Sequence, residues 1–312
     1  MKDLMRFSHP KLADFAWPHC EIRGARPGPR LCISAGVHVN EVSAIEAAVR
    51  LQKLFRPQAL AGSVSIIPLL NQPARFHYSE YVCPLDGKNI NFTFPGRPDG
   101  TFSDLLCQAV MNEWTAGADC YVDLHGGDLR ENVCRYSIYQ RTGDEAFDAH
   151  ARALARCFDA QVILGLPPAS MLHPGRPPTG FARDGRYAVM SEAGSHGLVE
   201  ESCVEFHVNG VLNIARYLGM IDEPSEPFRN TRNACNDNIW VEAPADGEFF
   251  ANIEPGDRVA RNQLLGGVRD LFGEPVAELR SPADGIVLWR MTHPTLRKGM
   301  WALAIATEEP AV

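Results

Sequence analysis

From about residue 30 to residue 220 the chain alternates short apolar runs with longer stretches of helical periodicity. Strand-like runs occupy 31–37, 63–70, 118–124, 161–165 and 187–192, and helical segments start at residue 41 and lie near 102–114, 145–158 and 200–218. Such alternation indicates an α/β domain built on a mixed, largely parallel sheet flanked by helices. In open sheets of this kind ligands bind beyond the carboxyl ends of the strands. Residues with metal or acid–base chemistry at those ends are therefore the first candidates for a site.

Two strand ends carry such residues. Gly36-Val37-His38-Val39-Asn40-Glu41 follows the buried run Leu31-Cys32-Ile33-Ser34-Ala35, and Tyr121-Val122-Asp123-Leu124-His125-Gly126 closes a second run. Val42, Ile45, Val49 and Leu54 continue at helical spacing, so His38 and Glu41 sit three apart where a strand turns into a helix. Alone, His-x-x-Glu reads as well as a loop histidine and a glutamate at a helix N-terminus. With His125 it becomes two imidazoles and one carboxylate, the three-ligand, open-position set of a catalytic zinc site, one ion per chain. Asp123, two residues before His125, either points to the opposite strand face or accepts the ligand's second N–H.

The C-terminal part is different. After Ile221-Asp222-Glu223-Pro224-Ser225-Glu226-Pro227 the helical periodicity stops, and Ala243-Pro244-Ala245-Asp246-Gly247-Glu248-Phe249 recurs as Ser281-Pro282-Ala283-Asp284-Gly285-Ile286-Val287. A Pro-Ala-Asp-Gly turn entering a strand twice predicts two related hairpin units wrapped into a small β-barrel. This unit resembles the barrel-sandwich modules of lipoyl and biotinyl carriers but has no Met-Lys-Met or Asp-Lys-Ala tip, so a structural or oligomerising appendage is expected. The division is residues 1–228 for a catalytic domain and 229–312 for an accessory β-barrel. Between 166 and 186, Pro and Gly crowd a connection that reads as a loop able to shape or cover the cleft.

Composition removes several classes of function. Acidic residues outnumber basic ones 38 to 30, and no basic run is interleaved with aromatics, so a nucleic-acid partner is not expected. No signal-peptide core and no run of about 18 uncharged apolar residues occurs, so the expectation is a soluble cytoplasmic protein without a membrane partner. Nine cysteines, an odd number without CxxC pairs, fit reduced thiols acting as small hydrophobes.

Taken in order, His38 and Glu41, Asn89-Ile90-Asn91-Phe92-Thr93-Phe94-Pro95-Gly96, Asp123-Leu124-His125 and Ser191-Glu192-Ala193-Gly194 resemble the succinylglutamate desuccinylase/aspartoacylase family. The resemblance covers about residues 30 to 312 and implies a zinc amidohydrolase on a carboxypeptidase-A-like fold. It further implies His38, Glu41 and His125 as zinc ligands and Glu192 as the general base. Independently, Glu192 lies beside the small Ala193 and Gly194, where a substrate can approach closely. The competing reading is a helix-capping or salt-bridged glutamate.

Two departures bear on substrate. Relatives usually carry Asn-Arg before the Phe-Pro-Gly element, the arginine gripping a carboxylate, whereas Phe92 follows Asn91 here. Tyr81 stands where many relatives place the arginine that polarises the scissile carbonyl. Both changes weaken recognition of an acidic acyl-amino acid. Arg75, Arg97 and Arg130 are candidates to substitute, though each also reads as a solvated surface arginine. The expected substrates are neutral or amine-bearing N-acyl compounds, with Asp128 and Glu131 as partners for a positive group. His77, His173, His196 and His207 lack a partner at ligand spacing and are expected on loops or the surface. The functional reading is a zinc-dependent deacylase of a small N-acylated amino acid or amine. Its rivals are a peptidase with the same metal cage and a metal-retaining binding protein that has lost catalysis.

Overall fold

The structure, a computed structural model, describes residues 1–224 and 233–308. The expected domain boundary at 228/229 lies outside the described residues. The first strands are β1 (Lys2–Met5), β2 (Trp17–Arg23), β3 (Arg26–Ala35), β4 (Ala61–Ile67), β5 (Cys120–His125), β6 (Glu131–Gln140), β7 (Val162–Leu166) and β8 (Ala188–Ser195). The C-terminal strands are β9 (Asn233–Glu242), β10 (Gly247–Ala251), β11 (Arg258–Val259), β12 (Leu264–Arg269), β13 (Pro275–Arg280), β14 (Gly285–Met291), β15 (Thr295–Leu296) and β16 (Trp301–Glu308). Helices are α1 (Val42–Leu54), α2 (Phe102–Ala109), α3 (Glu145–Ala155), α4 (Pro177–Arg183) and α5 (Glu201–Tyr217).

One sheet runs β1-β2-β4-β3-β5-β8-β6-β7-β9-β16-β14-β11. Its centre, β4-β3-β5-β8, is parallel, β1 and β2 join antiparallel, and β6 pairs antiparallel with β8 but parallel with β7. The sheet is thus mixed, with a parallel heart where the sequence places it. Side chains along the central strands alternate between two cores. Leu31, Ile33, Val122 and Leu124 pack with Ala44, Ala47, Ala48 and Leu51 of α1 and Val204, Val211 and Ile214 of α5. Cys32 and Tyr121 face the other way, toward Phe102, Leu105 and Leu106 of α2 and Phe181 of α4. Burial on both faces explains why these strands read as continuous apolar runs.

Helix starts follow local chemistry. Thr101 and Asp104 form a capping box on α2, and the Asp144 side chain accepts from Phe147 N at 2.8 Å to begin α3. The helix predicted near 102–114 is α2 continued by a π-helical turn, Val110–Trp114. The Pro/Gly-rich connection is only partly loop: Pro177-Pro178 start α4, where proline's fixed φ suits the first helical turn. The nine cysteines are all buried, and Cys32, Cys107, Cys120 and Cys157 carry free thiols. Among the described residues no helix is long and apolar enough to cross a membrane.

The C-terminal strands continue the same sheet. β9 pairs parallel with β7, β16 and β14 follow antiparallel, and β14 returns to β6 through Trp289↔Val133 and Met291↔Glu131. The circuit β6-β7-β9-β16-β14 is therefore closed like a small barrel, with β13-β12-β10-β15 as a separate sheet. Its core mixes Val133, Ile138 and Leu164 with Val287, Leu303 and Ile305. Both Pro-Ala-Asp-Gly turns enter strands, β10 and β14, as the repeat predicts. Their aspartates do matching work: Asp246 Oδ1 accepts from Lys298 N at 2.7 Å, and Asp284 Oδ1 from Arg261 N at 2.8 Å. Each repeat thus anchors the turn of a distant segment.

Gly210, buried in α5, gives a test of this packing. A Cβ there would lie 2.0 Å from Phe158 Cδ1, so the ring rests directly on the helix backbone. Gly210→Ala gains roughly 1 kcal/mol of helix propensity. Overpacking a closed core costs about 1–3 kcal/mol, and here the overlap is with a fully buried ring. The expected result is a lower denaturation midpoint, with the loss reduced in a Phe158→Leu background. A midpoint at or above the wild type would mean that the ring is free to move aside.

Candidate metal centre and substrate cavity

Gly36 follows the end of β3 at φ +65, a conformation suited to glycine, and the chain turns there to deliver His38. Glu41 occupies the N-cap position of α1 but makes no capping hydrogen bond with its side chain. Its carboxylate instead meets both imidazoles: His38 Nδ1 is 2.6 Å from Oε1, and His125 Nδ1 is 2.9 Å from Oε2. The three ligand atoms lie within 4.8 Å of one another, and all three residues are buried. Burial would push Glu41 up, but His38 and then His125 hold it at about 2, so the carboxylate stays ionised.

The outer nitrogens decide the tautomers. His38 Nε2 is 3.0 Å from Asn89 Oδ1, and His125 Nε2 is 2.8 Å from Asp123 Oδ2. Asp123 cannot donate when ionised, so it accepts the Nε2–H of His125, and Asn89 Oδ1 accepts that of His38. In the neutral imidazoles both Nδ1 lone pairs then turn inward, toward Glu41. Asp123 is steadied in turn by Ser34, whose Oγ donates to Oδ1 at 2.5 Å and stands 2.5 Å from the Tyr121 hydroxyl. The open question about Asp123 resolves through strand geometry: residues two apart share a face, so it lies beside His125.

A metal fits these residues. Glu41 Oε2 and His125 Nδ1 are buried without a hydrogen-bond partner, which leaves one carboxylate oxygen and one imidazole lone pair facing each other. Two imidazoles and a carboxylate, each histidine with an oxygen beside its far nitrogen, form a donor set that suits a divalent transition metal ion.

Above the cluster lies a cavity of about 410 Å³ that His38, Glu41, Tyr81, Asn91, Phe92 and Glu192 help to line. Glu192 is brought there by β8, whose pairing with β5 sets it opposite His125. Burial pushes its carboxyl up to about 8; His125 pulls it back, and Glu41 pushes it further up. Gly126 also lines the cavity, and a Cβ on it would sit 2.3 Å from Ala193 O, so a side chain at this position would force the strand ends apart.

Other expected residues are elsewhere. Asp128 is not a wall residue: it is fully buried, with Oδ1 accepting from Asn40 Nδ2 at 2.8 Å and Leu129 N at 2.6 Å. Glu131 does reach the cavity, where its Oε1 accepts from Trp289 Nε1 at 2.5 Å and its Oε2 from Asp128 N at 2.8 Å. His207 is not on a loop or the surface. It is fully buried on α5, with Nδ1 2.8 Å from Ser191 Oγ.

None of the three candidate arginines lines the cavity. Arg130 is paired with Glu80, Arg97 Nε lies 3.5 Å from Asp104, and Arg75 rests over Phe76. The residue that does is Arg176, from the connection just before α4. Its guanidinium carbon is 4.9 Å from the centroid of the Phe92 ring, and its Nε is buried without a partner. The region beside Asn91 is therefore less apolar than Phe92 alone suggests. Nothing local in the sequence marks Arg176, because its approach depends on the path of a long connection.

The C-terminal unit is more than an appendage. Trp240, Trp289 and Trp301, three of the chain's five tryptophans, line the same cavity. Trp240 and Trp301 stack at 4.2 Å, Trp289 meets Trp240 edge-on at 5.5 Å, and Trp301 approaches Phe92 at 6.4 Å. That concentration of tryptophan in a short β-rich segment was a visible signal in the sequence.

Comparison with known proteins agrees with this architecture. Residues 27–218 match the family described as the succinylglutamate desuccinylase/aspartoacylase catalytic domain. The N-alpha-acetyl-L-2,4-diaminobutyric acid deacetylase of Halomonas elongata is 25% identical over 290 residues, covering 89% of this chain and 82% of its own. Among solved structures, the product-bound ectoine utilization protein EutE (DoeB) from Ruegeria pomeroyi superposes with a TM-score of 0.85 at 23% identity, covering 98% of this chain and 95% of that one. A succinylglutamate desuccinylase/aspartoacylase from Rhodobacter sphaeroides gives 0.85 at 23% identity over 100% and 96% of the two chains.

Proposed function

The chain belongs to the succinylglutamate desuccinylase/aspartoacylase family, and on that basis we propose that it hydrolyses the amide bond of a small N-acyl amino acid carrying a side-chain amine. The observation that carries this reading is the set of inward-facing, unpartnered ligand atoms, Glu41 Oε2 and His125 Nδ1, at the base of a cavity that also holds the unpartnered Arg176 Nε. Zinc, held by His38, Glu41 and His125, would supply Lewis acidity and a water nucleophile available at neutral pH.

The chain's own groups then have defined tasks. Glu192 takes a proton from the attacking water and gives it to the nitrogen as the C–N bond breaks, releasing the amine; the remaining acid proton then passes to that amine, so a carboxylate and an ammonium leave. Asp123 and Asn89 keep both imidazoles oriented. The tryptophan wall and Phe92 exclude water from the acyl group, which strengthens every polar interaction inside. Arg176 suits the substrate carboxylate, and Glu131, at the N–H edge of Trp289, suits an ammonium: burial pushes its carboxyl up to about 8, and a cation arriving beside it favours the ionised form. A substrate with both groups matches this pair, and the diaminobutyrate derivative named for the Halomonas relative has both. The volume of about 410 Å³ suits an acyl-amino acid.

The substrate reading has a direct test. An arginine–carboxylate hydrogen bond is worth about 1.5–3 kcal/mol, or roughly 10- to 100-fold in kcat/KM. Arg176→Gln is expected to lower kcat/KM by that factor for N-acetyl-2,4-diaminobutyrate. The corresponding α-carboxamide should change by no more than about threefold. Equal losses for acid and amide would assign Arg176 to packing against Phe92 instead.

A further inference from the structure

Tyr81 is held in the cavity in an unusual state. Its backbone has φ +61, a region bulky residues seldom occupy, and the preceding Glu80 is fixed by Arg130. The ring stands edge-on to His38 with centroids 6.1 Å apart, so the phenol belongs to the same wall as the ligand cluster. Its hydroxyl is buried and faces the Glu131 carboxylate, but no hydrogen bond of good geometry joins the two. Buried hydroxyls nearly always find partners, so one without a well-made bond, on a residue that lines the cavity, is a donor that can turn to an acceptor arriving there. The neighbouring Glu131 carboxylate already accepts from Trp289 Nε1 and Asp128 N.

We propose that Tyr81 is a catalytic residue: its O–H donates a hydrogen bond to the acyl oxygen as that oxygen gains negative charge. The inference rests on the deacylase reading and takes it to a single atom. When water oxygen bonds to the acyl carbon, the C=O π pair moves onto the acyl oxygen, where the phenol O–H meets it without giving up its proton. On collapse the pair returns, the C–N bond breaks, and the nitrogen leaves with the proton that Glu192 carries. A phenol is neutral at the near-neutral pH where such chemistry runs, so it donates without carrying charge. A neutral phenol thereby does what the resemblance assigns to an arginine in many relatives. It also adds no positive charge that would repel an amine-bearing substrate.

The experiment compares zinc-loaded wild type with Tyr81→Phe and Tyr81→Arg. N-acetyl derivatives of 2,4-diaminobutyrate, aspartate and leucine are screened first. The best amine is then used free, as product, and as its N-methylphosphonyl derivative, a tetrahedral mimic of the reacting centre. Removing one donor of this kind costs about 10²–10³-fold in kcat. Tyr81→Phe is therefore expected to lose roughly 10²-fold in kcat with KM within about threefold, and to bind the phosphonyl mimic more weakly by a similar factor. Product affinity, zinc content and thermal stability should be unchanged, and Tyr81→Arg should recover at least about tenfold over Tyr81→Phe. Wild-type kcat in Tyr81→Phe, or equal weakening of product and mimic, overturns the role of Tyr81 and leaves the deacylase reading standing. Absence of turnover by wild type on every acyl-amino acid overturns both.

Discussion

Replacing His125 with alanine is expected to release the metal and abolish turnover. Wild type should carry about one zinc per chain, because the three candidate ligands converge within 4.8 Å and an oxygen beside each outer nitrogen favours the ligating tautomer. Removal of His125 leaves Glu41 Oε2 facing an empty corner and Asp123 without its N–H partner. A two-ligand remnant cannot close a tetrahedral site. Asp123→Asn, which disturbs orientation but removes no ligand, should weaken metal affinity by about 10–100-fold. Metal analysis of the purified variants decides the matter. Stoichiometric zinc persisting in a His38→Ala/His125→Ala double variant would remove the site from these residues.

Glu192→Gln should follow the opposite pattern, keeping the metal while losing the chemistry. The amide preserves shape and volume on β8 but cannot accept a proton, so kcat is expected to fall by about 10²–10⁴-fold. The pH dependence supplies a second readout. Burial raises the Glu192 pKa, so acidification protonates the base, and wild-type kcat should decline as pH falls through that value. In Glu192→Gln the acid limb attributable to this group should vanish and leave a flat, low profile. Near-normal turnover in the variant, or an unchanged acid limb, would assign the proton transfer to another group.

His38, Glu41, His125 and Glu192 were legible because each lies at the end of an apolar strand, and a parallel sheet gathers such ends on one edge. The register of β3, β5 and β8 then sets their order, so local pattern and site coincide. The same local logic found the doubled Pro-Ala-Asp-Gly turns, since a turn is specified by its own residues. It overlooked β6, although that strand joins the parallel sheet to the C-terminal circuit.

What the sequence by itself determined is the layered α/β core, the candidate ligand set at the strand ends and the repeat. Only the tertiary structure decided that Arg176 lies over Phe92, that Glu131 rather than Asp128 faces the cavity, and that three tryptophans from the C-terminal strands line that same cavity. The physical reason is range. Strand and helix periodicity is written within a dozen residues, whereas closure of β14 onto β6 pairs positions such as Trp289 and Val133, far apart in the chain. A contact of that kind depends on the packing of everything between its ends, and no local spacing records it.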